Sequence, residues 1–237
     1  PAGNESAQTF DGYGQLSVIT LPKTGVILPG TTTMTLSSPA VSYSYDKMGQ
    51  KISETSPNGG TANYRYDQLG RLVKATATAT DVFSGDAITS DTMYEYDAAG
   101  NRVKTTDGDG RDWTSTYSAR GFLLTETDPL GNTTRYQYDA LGNKTAVSDP
   151  RNTGPGDRRY TTWFIYDDQN RLVRTVLPDN TPPSNTELQS GSYDNPFIEV
   201  TYDRLGNKLT ERDVNGLVAF YDYDLRGRVI RTGIMEG

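Results

Sequence analysis

Apolar and polar positions alternate through most of the chain, and the alternation is punctuated by a recurring cassette. YDQLGRL at 66–72 returns as YDAAGNR, YDALGNK, YDRLGNK and YDLRGRV. Aligned on its aromatic residue, the cassette has nine copies, at Phe10, Tyr45, Tyr66, Tyr96, Tyr117, Tyr138, Tyr166, Tyr202 and Tyr223. The basic unit is 21 residues, and four copies are lengthened by 14, 9, 7 and 15 residues. A short fixed period of this kind marks a fold in which one supersecondary unit stacks on the next.

Within each unit the period is two, that of a strand. Two residues before the aromatic, hence on the same face, stand Tyr43, Tyr64, Tyr94, Tyr136, Phe164, Val200 and Tyr221, with Ser115 and Gln8 as exceptions. The residues between are polar, with Ile165 the outlier. One face reads as an aromatic ladder and the other as mostly wet. The seventh residue after the aromatic is usually aliphatic (Ile52, Val73, Val103, Leu124, Val173, Leu209, Ile230) and is expected to meet that ladder from the returning strand. A three-residue bulged loop would instead put the sixth residue opposite the aromatic.

Four positions after each aromatic stands Gly14, Gly49, Gly70, Gly100, Gly121, Gly142, Asn170, Gly206 or Gly227. Asn is the non-Gly residue that best tolerates positive φ, so the position reads as a backbone constraint rather than a catalytic one. Asp first and Gly fourth is the signature of a type I turn followed by a left-handed residue that closes a hairpin. A second turn of the same kind lies half a unit later, its Gly59, Gly110, Gly131 or Gly216 standing 14 residues after the aromatic.

Two turns per unit leave two strands, so nine copies predict about 18 strands, or about 85 Å of sheet at the usual spacing. Open sheets that long curl, fold over or find a partner. The expected fold is all-β: consecutive antiparallel hairpins of a 21-residue repeat forming a curled, solenoid-like continuous sheet. The expected organisation is a single array over residues 1–237, with a divergent, insertion-bearing first copy in 1–40 and regular repeats over 41–237. Insertions fall near 78–93, 150–160 and 177–195. All sit in the second-turn half of their units, so they should project from one edge and leave the Tyr-Asp edge uniform, able to stack on the next coil of a longer spiral. The Pro-, Ser- and Asn-rich stretch LPDNTPPSNTELQSGSYDNP reads as an extended loop.

Composition narrows the chemistry. A hydrophobic fraction of 34% with 24 Gly and 16 Tyr suits a thin sheet with many turns. A net charge of −7, with Arg and Lys scattered, speaks against nucleic acid as a partner. The chain has no Cys and no His, which removes thiolate chemistry, Cys-ligated metals and the commonest general base. No cofactor is expected, and a hydrolase triad or zinc site is nearly excluded. No stretch is long or apolar enough to span a membrane, and no signal peptide opens the chain. The chain does not begin with Met and stops soon after a cassette, so it reads as an excerpt of something longer.

The YDxxGRL cassette at a 21-residue period, with DPLGN between copies, resembles the YD repeats of RHS proteins. Related repeats occur in the B and C components of insecticidal Tc toxins, in wall-associated and polymorphic toxins, and in teneurins. YDQLGRLVKAT and YQYDALGNKTAVSDP are the strongest matches, and the likeness is weakest over 1–40. The resemblance implies a ribbon wound into a hollow shell, which in toxin members sequesters a C-terminal toxic domain. It implies for this chain a structural wall segment, non-catalytic by itself, in a larger secreted or cell-surface protein. The implied partners are the remainder of the same polypeptide or shell and an encapsulated cargo. The family's DPxGL end motif and an autoproteolytic site are absent from the chain.

The residues expected to build the repeat are Tyr45, Asp46 and Gly49; Tyr66, Asp67 and Gly70; Tyr96, Asp97 and Gly100; Tyr138, Asp139 and Gly142; Tyr202, Asp203 and Gly206; and Tyr223, Asp224 and Gly227. DGDGRD at 107–112 imitates a calcium loop, but Arg111 takes the third ligand position and Phe122 the twelfth, so no metal is expected. The alternative to a scaffold is a binding module for a carbohydrate or cell surface, using aromatic rings and insertion loops. Trp113 and Trp163 are its candidate glycan contacts.

Overall fold

The structure, a computed structural model, describes residues 5–22, 24–27, 34–81, 83–152, 158–179, 181–191 and 194–235. Parts of the expected insertions, at 23, 28–33, 82, 153–157, 180 and 192–193, lie outside the described residues. The chain forms two compact units, Pro1–Trp113 and Thr114–Gly237.

The first unit is an antiparallel meander of β1 (Ala7–Phe10), β2 (Leu16–Thr20), β5 (Ala40–Tyr45), β6 (Lys51–Thr55), β7 (Thr61–Tyr66), β8 (Leu72–Thr80), β9 (Ala87–Tyr96) and β10 (Arg102–Thr106), each paired with the next. The insertion after β2 forms a separate two-stranded sheet, β3 (Thr24–Ile27) with β4 (Met34–Ser37). The next insertion lengthens one hairpin, so that β8 and β9 pair from Lys74↔Met93 to Thr80↔Ala87.

The second unit continues the pattern through β11 (Asp112–Tyr117), β12 (Leu123–Thr127), β13 (Thr133–Tyr138), β14 (Lys144–Ser148), β15 (Thr161–Tyr166), β16 (Leu172–Val176), β17 (Phe197–Tyr202), β18 (Lys208–Arg212), β19 (Val218–Tyr223) and β20 (Val229–Met235). Between β16 and β17 lies a short helix, α1 (Asn185–Ser190). This corrects the extended-loop reading of that stretch. Ser184 and Glu187 form a reciprocal capping box and Gly191 closes the helix at φ 73°, so local chemistry makes a helix inside a Pro- and Asn-rich loop.

The turn reading holds at every copy. Gly14, Gly49, Gly70, Gly100, Gly121, Gly142, Gly206 and Gly227 have positive φ, and Asn170 has φ 60°. The four second-turn glycines do likewise. In the Asp67 turn the N–H of Gly70 donates to Asp67 O and that of Asp67 to Arg71 O, while Asp67 Oδ1 accepts from the N–H groups of Leu69 and Arg71. The carboxylate thereby takes up donors that the tight turn leaves unpaired.

Register departs from one expectation. The sixth residue, not the seventh, stands opposite the aromatic: Tyr66↔Leu72, then Arg65↔Lys74 and Tyr64↔Ala75. Val73 is the extra residue of a β-bulge, as are Ile52, Val103, Leu124, Val173, Leu209 and Ile230 in their copies. An inserted residue moves everything after it to the other face, so the aliphatic seventh position has no partner in the register; Ile52, Leu124 and Leu209 are 37 to 39% exposed and Ile230 67%.

Between successive hairpins the ladder is shorter. It begins at the eighth residue after the aromatic and runs three pairs, as in Ser53↔Asn63, Glu54↔Ala62 and Thr55↔Thr61, except between β8 and β9, where the insertion extends it to seven. Among the described residues, buried apolar side chains form one small cluster, Ala146, Trp163 and Val176, joined by Ile165, Leu188 and Phe197. It lies on the face expected to be wet, where Leu188 of α1 covers it.

Candidate functional site

The cassette residues act on the backbone. Tyr45 Oη donates to Leu16 O at 2.9 Å, Tyr66 to Lys51 O at 2.8 Å and Tyr96 to Leu72 O at 2.8 Å in the first unit. Tyr166 donates to Lys144 O at 3.0 Å and Tyr202 to Leu172 O at 3.1 Å in the second. In each case the acceptor is the sixth residue of the preceding copy, just beyond the end of the ladder that joins the two hairpins. The hydroxyl thus serves a carbonyl that the strands leave unpaired.

The residue after the turn glycine adds a second link, which sequence reasoning did not assign. Arg71 Nε donates to Asp67 Oδ2 at 2.7 Å within its own turn, and Nη1 reaches Asp97 O of the next turn at 3.2 Å. Arg171 repeats this with Asp167 and Asp203 O. Gln15 and Gln50 donate to Gly49 O and Gly70 O of the following turns. The guanidinium planes of Arg71 and Arg171 also lie 4.8 and 4.7 Å from the ring centroids of Tyr96 and Tyr202. The signal was present as the recurring Arg, Asn or Gln after Gly.

These bonds perturb the carboxyls. The Arg71 N–H, with its guanidinium, holds the Asp67 carboxyl below the usual range. Asp97, Asp139 and Asp203 are lowered first by the side-chain amides of Asn101, Asn143 and Asn207. A carboxylate so held has little capacity as a general base at neutral pH. In the 107–112 segment Asp107 plays the same turn role, and Arg111 pairs with both Asp107 and Asp109. Among the described residues no group of three or more His, Cys, Asp or Glu could hold a metal ion.

Copy five differs. Ser118 Oγ accepts only from the Phe122 N–H, at 3.1 Å. Phe122 occupies the position of Arg71 and stacks on Tyr138 with ring centroids 5.0 Å apart. Beside it the Tyr136 hydroxyl donates to Glu126 at 2.7 Å, and desolvation, reinforced by that carboxylate, pushes the phenol up to about 12. The ladder face carries ions among its rings: Lys51 lies over Tyr64 and pairs with Glu54, and Lys208 lies over Tyr221 and pairs with Glu211.

The two tryptophans fall on opposite faces of their strands. Trp113, four residues before Tyr117, shares the ladder face and is 41% exposed. Trp163, three before Tyr166, is only 8% exposed; Arg158 lies 4.2 Å from its ring centroid and Arg158 Nη1 donates to Asn185. Trp163 also lines an open cavity of about 410 Å³ together with Gln137, Ile165, Asn185, Leu188 and Gln189. An aromatic wall with convergent amides is chemistry able to receive a small polar ligand.

Residues 117–153 match the model of the RHS Repeat family. No curated protein matches the chain. Among solved structures, TcdB2-TccC3-Cdc42 superposes with a TM-score of 0.64 at 15% identity, over 93% of this chain and 12% of that one. TcdB2-TccC3 without its hypervariable C-terminal region gives 0.64 at 15% identity over 95% and 12%. TcdB2-TccC3 gives 0.59 at 14% identity over 94% and 14%. The chain shares their fold and spans about an eighth of the length of those proteins.

Proposed function

We propose that this chain, an RHS-repeat chain whose matched repeat is residues 117–153, is a structural segment of an RHS-type β-shell that encloses a toxin or effector cargo. The segment works without catalysis of its own, within a larger exported protein. The observation that carries the reading is the cross-copy link from the cassette tyrosine hydroxyl to the preceding copy's carbonyl, repeated at Tyr45, Tyr66, Tyr96, Tyr166 and Tyr202. In these copies Tyr, Asp and the turn Gly are taken up by backbone bonding, which is the use a wall makes of its residues.

Limited proteolysis of the polypeptide that carries this segment tests the reading. A cargo enclosed by the ribbon stays intact while exposed loops such as 83–86 are cut, and becomes accessible when Tyr66→Phe and Tyr202→Phe weaken the wall. Cargo peptides released at the same rate as loop peptides in the unaltered protein would sink the proposal.

A carbohydrate-binding role is supported by one feature, the cavity at Trp163 with its amides Gln137, Asn185 and Gln189. In a Trp113→Phe background, Trp163 emission should respond to titration with oligosaccharides and lose that response in Gln189→Ala. An unresponsive Trp163 removes this reading.

A further inference from the structure

Among the described residues three buried side-chain nitrogens have no acceptor, and they lie together: Nε and Nη2 of Arg158 and Nε1 of Trp163. The guanidinium carbon stands 4.2 Å from the indole centroid, so all three fall within the span of one small ligand. The third guanidinium nitrogen, Nη1, donates to Asn185 Oδ1 at 3.0 Å. Arg71, Arg171 and Arg174, which are covered to a similar degree, each pair with a carboxylate. Arg158 pairs with none among the described residues, and desolvation alone acts on its charge, lowering its pKa from the usual guanidinium value.

A covered cation without a counter-charge is costly to keep. Stacking on the indole offsets part of that cost but leaves the N–H groups unmet. Their arrangement selects an acceptor. Nε and Nη2 form the side edge of the guanidinium, whose N–H bonds run parallel and match the two oxygens of a carboxylate. Arg158 and Trp163 together offer that edge, one indole N–H and one positive charge. A carboxylate, with two oxygens and one negative charge, is met in full, whereas a phosphate group, with three oxygens and a charge of about −1.5 to −2, is not.

We infer that Arg158 and Trp163 form an anion subsite, at the wall of the cavity of about 410 Å³, that takes the carboxylate of a small organic acid. Trp163 and Asn185, the two residues Arg158 contacts, both line that cavity. The acid enters through it, with Arg158 turning on its flexible stem to present its edge. Asp139, the carboxylate on the cavity wall, is already engaged: it accepts from the Leu141 and Asn143 N–H groups and from the Asn143 amide. The inference goes beyond the carbohydrate reading of the same cavity, since it stands on the guanidinium whether or not the remainder of the acid is a sugar.

Trp113→Phe leaves Trp163 as the chain's one indole, and its emission reads occupancy. Acetate, glucuronate and glucose are titrated separately, with chloride holding the ionic strength constant. Both carboxylates should change the emission saturably, and glucose should need at least a tenfold higher concentration than glucuronate. Equal responses to acetate and glucuronate assign the subsite to a bare carboxylate, and a tenfold tighter response to glucuronate assigns it to a sugar acid; either supports the inference. Arg158→Lys keeps a charge near the indole and removes the fork, so it should weaken carboxylate binding at least tenfold with circular dichroism unchanged. Glucose matching glucuronate overturns the inference and leaves carbohydrate binding standing. No response to either carboxylate, or a response that Arg158→Lys leaves intact, overturns it outright.

Discussion

The phenolic hydroxyl of Tyr66 donates to the main-chain carbonyl of Lys51 across 2.8 Å, fifteen residues back and one copy away. The ladder between their hairpins starts only at Ser53↔Asn63, so the ring does the work of a missing rung. A sheet whose hairpins share three rungs needs such supplements, because its faces bury little apolar surface.

Tyr66→Phe and Tyr202→Phe should each lower the unfolding free energy by about 1 kcal/mol, the usual net worth of a hydrogen bond. Tyr138→Phe should cost less, because its ring is held by stacking on Phe122 rather than by a cross-copy bond. Urea denaturation followed by far-ultraviolet dichroism checks the order of the three.

Gly206 has φ 90° and open space around it, so Gly206→Ala should cost about 1 to 2 kcal/mol from backbone conformation alone. Gly142→Ala should cost more, because a Cβ there would lie 2.8 Å from Phe122 Cζ. Asn170→Gly should be neutral or mildly stabilising. Equal midpoints for Gly206→Ala and Gly142→Ala would show that the Phe122 ring yields freely.

Tyr136 is raised from 10.0 to about 12 in the folded chain. A phenol that holds its proton more tightly when folded contributes stability that is fully present below the unfolded pKa near 10. That contribution is lost as pH climbs through the folded value near 12. Phenolate absorbance of the native chain should show a late-titrating tyrosine that Tyr136→Phe removes.

The turn carboxyls act at the other end of the scale. Asp67, Asp97, Asp139, Asp167, Asp203 and Asp224 are all lowered from 3.8 by hydrogen bonds within their turns. Their contribution is present above the unfolded value and disappears as pH falls through the folded ones. Acid unfolding should therefore begin below about pH 4, and Asp97→Asn should weaken that dependence at its own copy.

Leu188→Ser should uncover the buried cluster and shift Trp163 emission to the red, with greater acrylamide quenching in a Trp113→Phe background. An unchanged spectrum would mean that α1 does not shield the indole.

The turns were legible because their residues are dictated locally: Asn170, the one non-glycine at the cassette's fourth position, was read as a positive-φ residue like the glycines, and it is one. Register was less so. The bulge at Val73 follows from the backbone after the turn, and an aliphatic residue there looks no different from one that packs inward. The helix escaped because Ser184 and Glu187 lie inside a stretch dominated by loop formers. The cluster under it had left one mark, Ile165 among polar neighbours. Taken with Trp163 on the same face, it pointed to a cover that only the insertion could provide.

All four insertions enter at second-turn connections, and the side-chain links between turns explain the choice. An added segment between Asp67 and Gly70 would pull Gln50 from Gly70 O and Arg71 from Asp97 O, severing ties to both neighbours. The opposite edge carries no comparable chain of Gln and Arg bridges among the described residues. Evolution can therefore embroider one hem of this fabric freely while the other stays sewn shut.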